Sequence, residues 1–340
     1  MKYFLSFSFM LLTLTSFSQG GVVLTENQKD KKVNVTIDGK PFTAYFYPGP
    51  NVLKKAVLYP LRTANGTVIT RGWPLDPRPS ERVDHPHHVG MWLNYESVSG
   101  HDFWNNSNAV NHSKGTYGTI VHTGIKKMKS GKKQGELIVT ADWLDKNGGL
   151  MLTETTTYVF KGDANSRTVD RITTLTVQTD VIFKDVKDGM FAIRVARELE
   201  HPSKKAEVFT DANGIATKVP VMNNVGITGN YRSSEGIEGE DVWGTRGRWC
   251  NLRGKMGDEV VNLVIIDHPK NVGYPTYWHA RDYGLFAANP LGQNVFSKGK
   301  ETLNLTLKKG ESTTFRYRTV IASETLSDQK VNQIAADFGK

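Results

Sequence analysis

"LMLTETTTYVFKGDANSRTVDRITTLTVQ", residues 150–178, contains two runs in which apolar and polar side chains alternate. Val, Ile, Thr, Leu and Tyr dominate both runs, and these residue types favour strands. Between the runs, residues 161–166 supply Gly, Asp, Asn and Ser, which are typical of turns. A period of two places alternate side chains on opposite faces of a strand. The stretch therefore predicts a long antiparallel hairpin with one buried face.

The same alternation recurs over most of the chain. Further runs rich in β-branched residues occupy 32–38, 135–144, 260–266 and 302–307. Turn residues separate the runs at 38–40, 129–133, 146–149 and 308–312. The predicted fold is all-β, with two large antiparallel sheets packed as an extended sandwich. Residues 19–340 are predicted to form a single domain, since no repeat and no Pro/Ser linker divides them.

One segment predicts a helix. In residues 327–339, Val331, Ile334, Ala335 and Phe338 follow helical spacing. Ser327 is placed to cap the start, and the segment is expected to cover a sheet face or edge at the C-terminus. Residues 223–249 are rich in glycine with little periodicity, which predicts a long loop or lid.

The N-terminus predicts export. Residues 1–18 begin with Lys2, continue with an apolar run and end in Ser16-Phe17-Ser18, which together are typical of a cleaved signal peptide. The expected location is a bacterial periplasm or the extracellular space. Cys250 is the single cysteine, so no intramolecular disulfide forms, and a buried structural thiol is the favoured interpretation.

The formal charge of +9 comes from lysines scattered over predicted turns. Aromatic residues do not interleave with these lysines, so nucleic acid is not an expected partner. No second apolar run is long enough to span a membrane. Walker, GxGxxG, GxSxG and HExxH motifs are absent from the sequence, which removes support for nucleotide, nicotinamide and serine-hydrolase chemistry.

"RVDHPHHVGMW", residues 82–92, concentrates three of the nine histidines beside Asp84. The four prolines in residues 72–88 predict a rigid loop that precedes a strand at one edge of the sandwich, outside the core. In an extended segment His85 and His87 would point to one side and His88 to the other. Three interpretations are open: an acid/base site tuned by Asp84, a metal site using His85, His87 and a third ligand, or a structural loop.

Two other segments carry candidate site residues. Residues 100–118 combine Trp104 and His112 with several asparagines, a composition that suits a sugar but also an ordinary polar loop. In residues 274–292, Tyr277, His279 and Arg281 alternate with Trp278 and Ala280. A strand would therefore present the polar set to a ligand cleft or leave it as an exposed strand end.

Residues 190–202 place Arg194 and Glu198 on the same face of a predicted strand. This pair is either a surface ion pair or a catalytic carboxylate held beside a cation.

The stretches at 84–106, 191–200 and 275–292 together resemble the bacterial PmoA-like family, also labelled methane oxygenase PmoA, a domain of unknown function. The label implies a membrane copper monooxygenase subunit, which this sequence contradicts because it lacks several long apolar spans. The resemblance implies instead an exported protein of polysaccharide-degrading bacteria. It also implies a galactose-mutarotase-like supersandwich, a fold used for carbohydrate binding, epimerisation, hydrolysis and lyase reactions.

The main hypothesis is an exported carbohydrate-active enzyme, a hydrolase, lyase or epimerase, that works by His/Glu acid–base chemistry. The alternatives are a non-catalytic glycan-binding protein and a metal-dependent enzyme using His85 and His87. No cofactor is required, although a divalent metal is open, and the oligomeric state is not predicted. The expected catalytic residues are His85, His88, His279 and Glu198. The expected substrate-binding residues are Arg281, Arg194, Trp92, Trp104, His112 and Tyr277.

Overall fold

The computed structural model of the protein describes residues 20–340. The predicted signal peptide at 1–18 lies outside the described residues. Two sheets of eight strands form the body of the fold, and all neighbouring strands in each sheet are antiparallel.

The first sheet combines N-terminal strands with strands from the middle and the end of the chain. In spatial order its strands are β1 (Val22–Asn27), β2 (Lys32–Ile37), β3 (Lys40–Phe46), β4 (Val57–Leu58), β5 (Met91–Tyr95), β11 (Gly189–Arg194), β18 (Leu285–Asn289) and β17 (Tyr277–Ala280).

The second sheet contains the quoted hairpin. In spatial order its strands are β14 (Asn230–Ser233), β15 (Trp249–Met256), β16 (Glu259–Asp267), β20 (Ser312–Ala322), β9 (Ser166–Val177), β8 (Leu150–Gly162), β7 (Gly135–Leu144) and β6 (Thr119–Lys129). β8 and β9 pair from Leu152↔Val177 to Gly162↔Arg167, which confirms the predicted hairpin.

The remaining elements are short, apart from the C-terminal helix. Two small sheets pair β10 (Val181–Phe183) with β19 (Leu305–Leu307), and β12 (Glu207–Thr210) with β13 (Ala216–Val221). Within residues 20–340, three 3-10 helices span His112–Lys114, Arg197–Leu199 and Gly239–Val242, and the α-helices are α1 (Gln293–Phe296) and α2 (Asp328–Gly339).

The core lies between the inner faces of the two large sheets. Alternation along β7 is complete, with every second residue buried from Gly135 to Trp143. Phe191 of the first sheet stacks on Tyr317 of the second at a ring distance of 4.7 Å. The predicted all-β fold of two large antiparallel sheets is confirmed, because the alternating positions face this shared core.

The C-terminal helix covers the outer face of the second sheet, as predicted. The Ser327 side chain accepts a hydrogen bond from the Lys330 N–H at 3.2 Å and so caps α2. Val331 is fully buried against Trp249 and Val264. The four-residue α1 was not predicted, since one helical turn leaves no periodic signal.

The segment 223–249, predicted as a long loop, is irregular over most of its length but is not one uninterrupted loop. This segment contains β14 and the third 3-10 helix and reaches the start of β15. Tyr231 and Val242 are buried in the core, and their burial fixes the segment although glycines interrupt its pattern. Cys250 is buried and free, in agreement with the structural interpretation. Within residues 20–340, no helix has the length and hydropathy that a membrane crossing requires.

Loops cover the outer face of the first sheet and create a second apolar layer. Trp92 of β5, Ala192 of β11 and Ala287 of β18 point outwards into this layer. Trp104 and Leu53 from the covering loops pack on them. The layer therefore supports the loop residues that lie above the middle of the sheet.

Ile265→Ala tests the shared core, because Ile265 is fully buried on β16 between the sheets. We expect the free energy of unfolding to fall by about 2–5 kcal/mol in denaturant titrations. Ile215→Ala is the matched control at a side chain that is 63% exposed, and it should change stability by less than about 0.5 kcal/mol. Equal effects at the two positions would contradict the packing described.

Candidate functional site at the histidine turn

The histidine segment crosses the middle of the first sheet. β5, into which the segment leads, is the fifth of eight strands, so the predicted position at a sheet edge is wrong. His87 and His88 are 7% and 1% exposed. The loop was predicted to leave its histidines unburied, but it folds over the second apolar layer and buries two of them.

A tight turn brings the three imidazoles together. The His88 N–H donates to the His85 carbonyl at 2.9 Å, so residues 85–88 reverse direction rather than extend. The ring of His88 stacks on that of His85 at 4.8 Å and meets that of His87 edge-on at 4.3 Å. The predicted separation of His88 from the other two histidines is therefore wrong.

Gly90 lets the loop enter the sheet closely. Its φ of +60° is one that side chains rarely adopt, and a Cβ there would lie 2.3 Å from the Leu58 carbonyl oxygen. The Gly90 carbonyl accepts from the Arg194 N–H at 3.0 Å. This close approach fixes the histidine turn directly above β4 and β11.

Arg71 holds the turn from beneath. Its buried guanidinium donates to the backbone carbonyls of Asp84 and His85 at 2.9 Å and of His88 at 3.1 Å. It also donates to Asp84 Oδ1 at 2.5 Å. One side chain thus satisfies several backbone acceptors that the folded loop would otherwise bury without partners.

Asp84 is shared by two buried arginines. Arg194 Nη2 donates to Asp84 Oδ1 at 2.6 Å, and this is the oxygen that Arg71 also binds. Burial alone would raise the pKa of Asp84, but the charges of Arg194 and Arg71 and the neighbouring His85 hold that pKa well below its usual range. Asp84 is therefore a fixed carboxylate.

His85 is the accessible imidazole of the cluster. Its Nδ1 lies 3.0 Å from Asp84 Oδ2, although the N–H is not well aligned for a hydrogen bond. The side chain is 39% exposed while Nδ1 is buried, so the exposed side of the ring is the side that carries Nε2. Tyr283 stacks on the His85 ring at 5.0 Å. The ring therefore has a carboxylate beside its buried nitrogen and an exposed side that is open to a ligand.

His88 is held as a neutral ring. Arg194 Nη1 lies 3.2 Å from His88 Nδ1, and a guanidinium can only donate, so Nδ1 accepts and the proton resides on Nε2. Burial and the nearby charges of His87 and Arg194 hold the pKa of His88 well below its usual value. His88 Nε2 and Trp92 Nε1 have no hydrogen-bond partner in the described part of the chain.

Trp92 and Trp104 do not offer stacking surfaces. They are 0% and 1% exposed and pack on each other at 5.3 Å. The His88 ring stacks on Trp92 at 5.3 Å and the Lys55 ammonium lies 5.2 Å from the Trp92 ring. The predicted sugar-stacking role of these two residues is wrong, because both indoles are buried beneath the histidine turn.

The β17 segment places its polar residues as the alternation predicted. Tyr277 and His279 face away from the core that Trp278 and Ala280 enter. His279 is buried, its Nδ1 lies 3.7 Å from Asp188 Oδ1, and burial lowers its pKa to about 4. His279 is therefore neutral at neutral pH.

Tyr277 is 5% exposed, with the Arg246 guanidinium 4.4 Å from its ring, which leaves little surface for a substrate.

The Tyr283 ring lies close to arginines from two segments of the chain. Arg194 and Arg281 lie 4.9 Å and 5.5 Å from its ring. Burial raises the pKa of Tyr283 to about 12, and the charges of Asp188 and Asp84 also raise it while those two arginines lower it. The sequence pattern does not distinguish Tyr283, whose one signal is its place in the turn after β17.

Glu198 and His112 are exposed side chains, unlike the buried residues of the histidine turn. β11 ends at Arg194, and Glu198 is exposed on the following 3-10 helix, so the predicted shared strand face is wrong. The buried carboxylate of this segment is Glu200, which accepts from Arg82 Nε at 2.7 Å. His112 is exposed, and its Nε2 lies 2.9 Å from Asn106 Oδ1.

A metal site at His85 and His87 would need a third ligand. Among residues 20–340, no group of three or more His, Cys, Asp or Glu side chains is arranged to hold a metal ion. A metal site therefore stays a prediction from the sequence.

Comparison with known proteins assigns a family. The model of a family of unknown function (DUF6807) matches residues 32–336. The chain belongs to this family. The resemblance to the PmoA-like family is corrected, because the family model that matches is DUF6807. No curated protein matches the sequence.

Several solved structures are similar to this DUF6807 chain. The galactosidase domain of the α-galactosidase–sucrose kinase AgaSK has a TM-score of 0.41, 11% identity, and 90% of this chain and 42% of that chain covered. Galactose 1-epimerase from Lactobacillus acidophilus NCFM has a TM-score of 0.36, 11% identity, and 89% and 98% covered.

A galactose mutarotase-like protein from Clostridium acetobutylicum has a TM-score of 0.35, 10% identity, and 89% and 98% covered. The DUF6807 chain spans only 42% of the AgaSK galactosidase domain, so activity does not transfer from it.

Asp84→Asn tests the shared carboxylate. We expect the free energy of unfolding at pH 7 to fall by about 3–5 kcal/mol, because two buried guanidinium groups lose their counter-charge. The folded-state pKa lies below that of the unfolded chain. The stabilisation that ionised Asp84 gives to the folded state is therefore complete above about pH 4. It is lost as the pH falls towards the folded-state pKa of Asp84.

Denaturant titrations at pH 7 and at acidic pH would measure both effects. Asp180→Asn, which removes an exposed partner of Lys308, is the control and should change stability little. An Asp84→Asn protein as stable as the wild type at pH 7 would contradict this role of Asp84.

Proposed function

We propose that this DUF6807 protein is an exported carbohydrate-active enzyme in which Asp84 and His85 form a proton-transfer dyad. The observation that carries the proposal is the accessible His85 ring, whose Nδ1 lies 3.0 Å from a carboxylate that two buried arginines fix. A carboxylate beside one ring nitrogen sets the tautomer and leaves the other nitrogen free to take a proton.

Tyr283 is the proposed acid. Its pKa of about 12 keeps the hydroxyl protonated at neutral pH. The ring stacks on His85, so a substrate above the stack would meet a base and a proton donor together. Arg281, 5.5 Å from the Tyr283 ring, is placed to bind sugar hydroxyls.

The geometry favours elimination or epimerisation over hydrolysis. Glycoside hydrolysis generally needs two carboxyl groups that flank the bond. Asp84 is bound by Arg71 and Arg194, and Glu198 is an exposed side chain on the 3-10 helix Arg197–Leu199. Elimination and epimerisation need one group that removes a proton from a ring carbon and one that donates a proton, which is the His85–Tyr283 arrangement.

Support for a purely glycan-binding role is weaker. Such a role requires aromatic faces that a sugar can cover, and Trp92 and Trp104 are both buried. The galactosidase and epimerase activities named for similar structures agree with a carbohydrate substrate, but the proposal does not depend on them.

His85→Gln tests the dyad, because glutamine keeps a polar group but cannot shuttle a proton. On any oligosaccharide that the wild type turns over in a product screen, we expect kcat to fall by about 100-fold or more. His122→Gln is the matched control, since His122 lies on β6 of the second sheet and binds the Tyr45 hydroxyl. A His85→Gln enzyme within a few-fold of the wild type would remove His85 from the mechanism.

A further inference from the structure

A cavity of about 320 Å³ lies beside the histidine turn. Lys54, Lys55, His87 and Ser107 supply polar groups to its lining, and Pro74 and Pro86 supply apolar walls. None of the residues that line it, all within residues 20–340, is acidic. The cavity is therefore a positively charged and donor-rich space of a size that a ligand can fill.

Lys55 brings a buried cation to this cavity without a carboxylate of its own. It is 5% exposed, and its ammonium donates to the His87 carbonyl at 2.7 Å, its one hydrogen bond in the described part of the chain. The charge of Asp102 acts on it, but that carboxylate already accepts from the N–H groups of Trp104 and Asn105. Burial lowers the pKa of Lys55 to about 7. An anion beside the ammonium would relieve this cost.

His87 supplies the second unsatisfied group. It is 7% exposed, and neither of its ring nitrogens has a hydrogen-bond partner within residues 20–340. Buried polar groups are nearly always paired in folded proteins, so an unpaired imidazole that lines a cavity points to a missing ligand. The neighbouring amide of Asn106 is not available, since it donates to the Gly118 carbonyl at 2.7 Å.

We propose that this cavity binds the carboxylate of an acidic sugar, with Lys55 and His87 donating to its oxygens. The assignment rests on the proposed function and names its substrate class. The His87 ring is 5.6 Å from the His85 ring, so the carbon that carries the carboxylate would lie close to the base. The proline walls suit the apolar edge of a sugar ring, which a free inorganic anion would leave uncovered.

The carboxylate also supplies what proton abstraction requires. When the C–H bond next to it breaks, the proton moves to His85 Nε2 and the electron pair spreads into the carboxylate. Lys55 and His87 would stabilise that added negative charge. The electron pair then expels the oxygen on the next ring carbon, and that oxygen takes its proton from Tyr283.

Calorimetric titration of the full chain tests whether the cavity binds an acidic sugar. The probes are trisaccharides of galacturonate and of glucuronate, each beside its carboxyl-reduced counterpart. We expect one acidic trisaccharide to bind at least about tenfold more tightly than its reduced form, the difference that a charged hydrogen bond supports. Lys55→Met should remove this preference, and Lys204→Met, at a side chain that is 84% exposed, should retain it.

His87→Leu is the second variant and should also reduce the preference, with thermal melting as the check that each variant is folded. Equal affinity of the wild type for acidic and reduced sugars would overturn the assignment, as would an unchanged preference in folded Lys55→Met. Sodium acetate that binds as tightly as the trisaccharides would show a general anion site and would also overturn it.

Turnover separates this inference from the proposed function. If the wild type binds acidic sugars more tightly than reduced ones through Lys55 but turns over no sugar, the enzymatic proposal alone is overturned. Turnover of neutral sugars that depends on His85, without an acid preference, would overturn the acidic-sugar assignment alone.

Discussion

The site depends on one carboxylate that two buried arginines share. Arg71 and Arg194 are 1% and 0% exposed, and both reach Asp84 Oδ1. Removing two guanidinium groups from water is costly, and a single carboxylate together with several backbone carbonyls offsets that cost only in one arrangement of the loop. The conformation of the histidine turn is therefore fixed by the ion pairs of Asp84 with Arg71 and Arg194, above the buried apolar layer on the outer face of the first sheet.

This constraint gives each histidine a different chemical character. His85 keeps an exposed ring oriented by Asp84, whereas His88 is buried and accepts from Arg194. His87 is buried without partners beside a cavity and a lysine. The three histidines therefore have different candidate roles. His85 is a candidate base, His88 is a buried neutral ring, and His87 is a candidate ligand-binding group.

The sequence predicted what local pattern determines. Alternation predicted the β8–β9 hairpin, and helical spacing with Ser327 predicted α2, because each signal lies within a few residues of its element. Residues from three of the four candidate segments meet around Tyr283, as the positions of His85, Arg194 and Arg281 show. The details of that meeting could not be predicted, because contacts such as Lys55 to the His87 carbonyl join residues 32 positions apart. The same limit made Trp92 appear exposed and placed Glu198 on a strand that ends before it.

The most direct measurement is the tautomer of each ring in the histidine turn, read from long-range ¹H–¹⁵N correlations of ¹⁵N-histidine-labelled protein at a pH where the rings are neutral. The account predicts opposite tautomers, with the proton on Nδ1 of His85, towards Asp84, and on Nε2 of His88, away from Arg194. Averaged signals from both rings, or a proton on Nε2 of His85, would contradict a dyad oriented by the arginine-bound carboxylate.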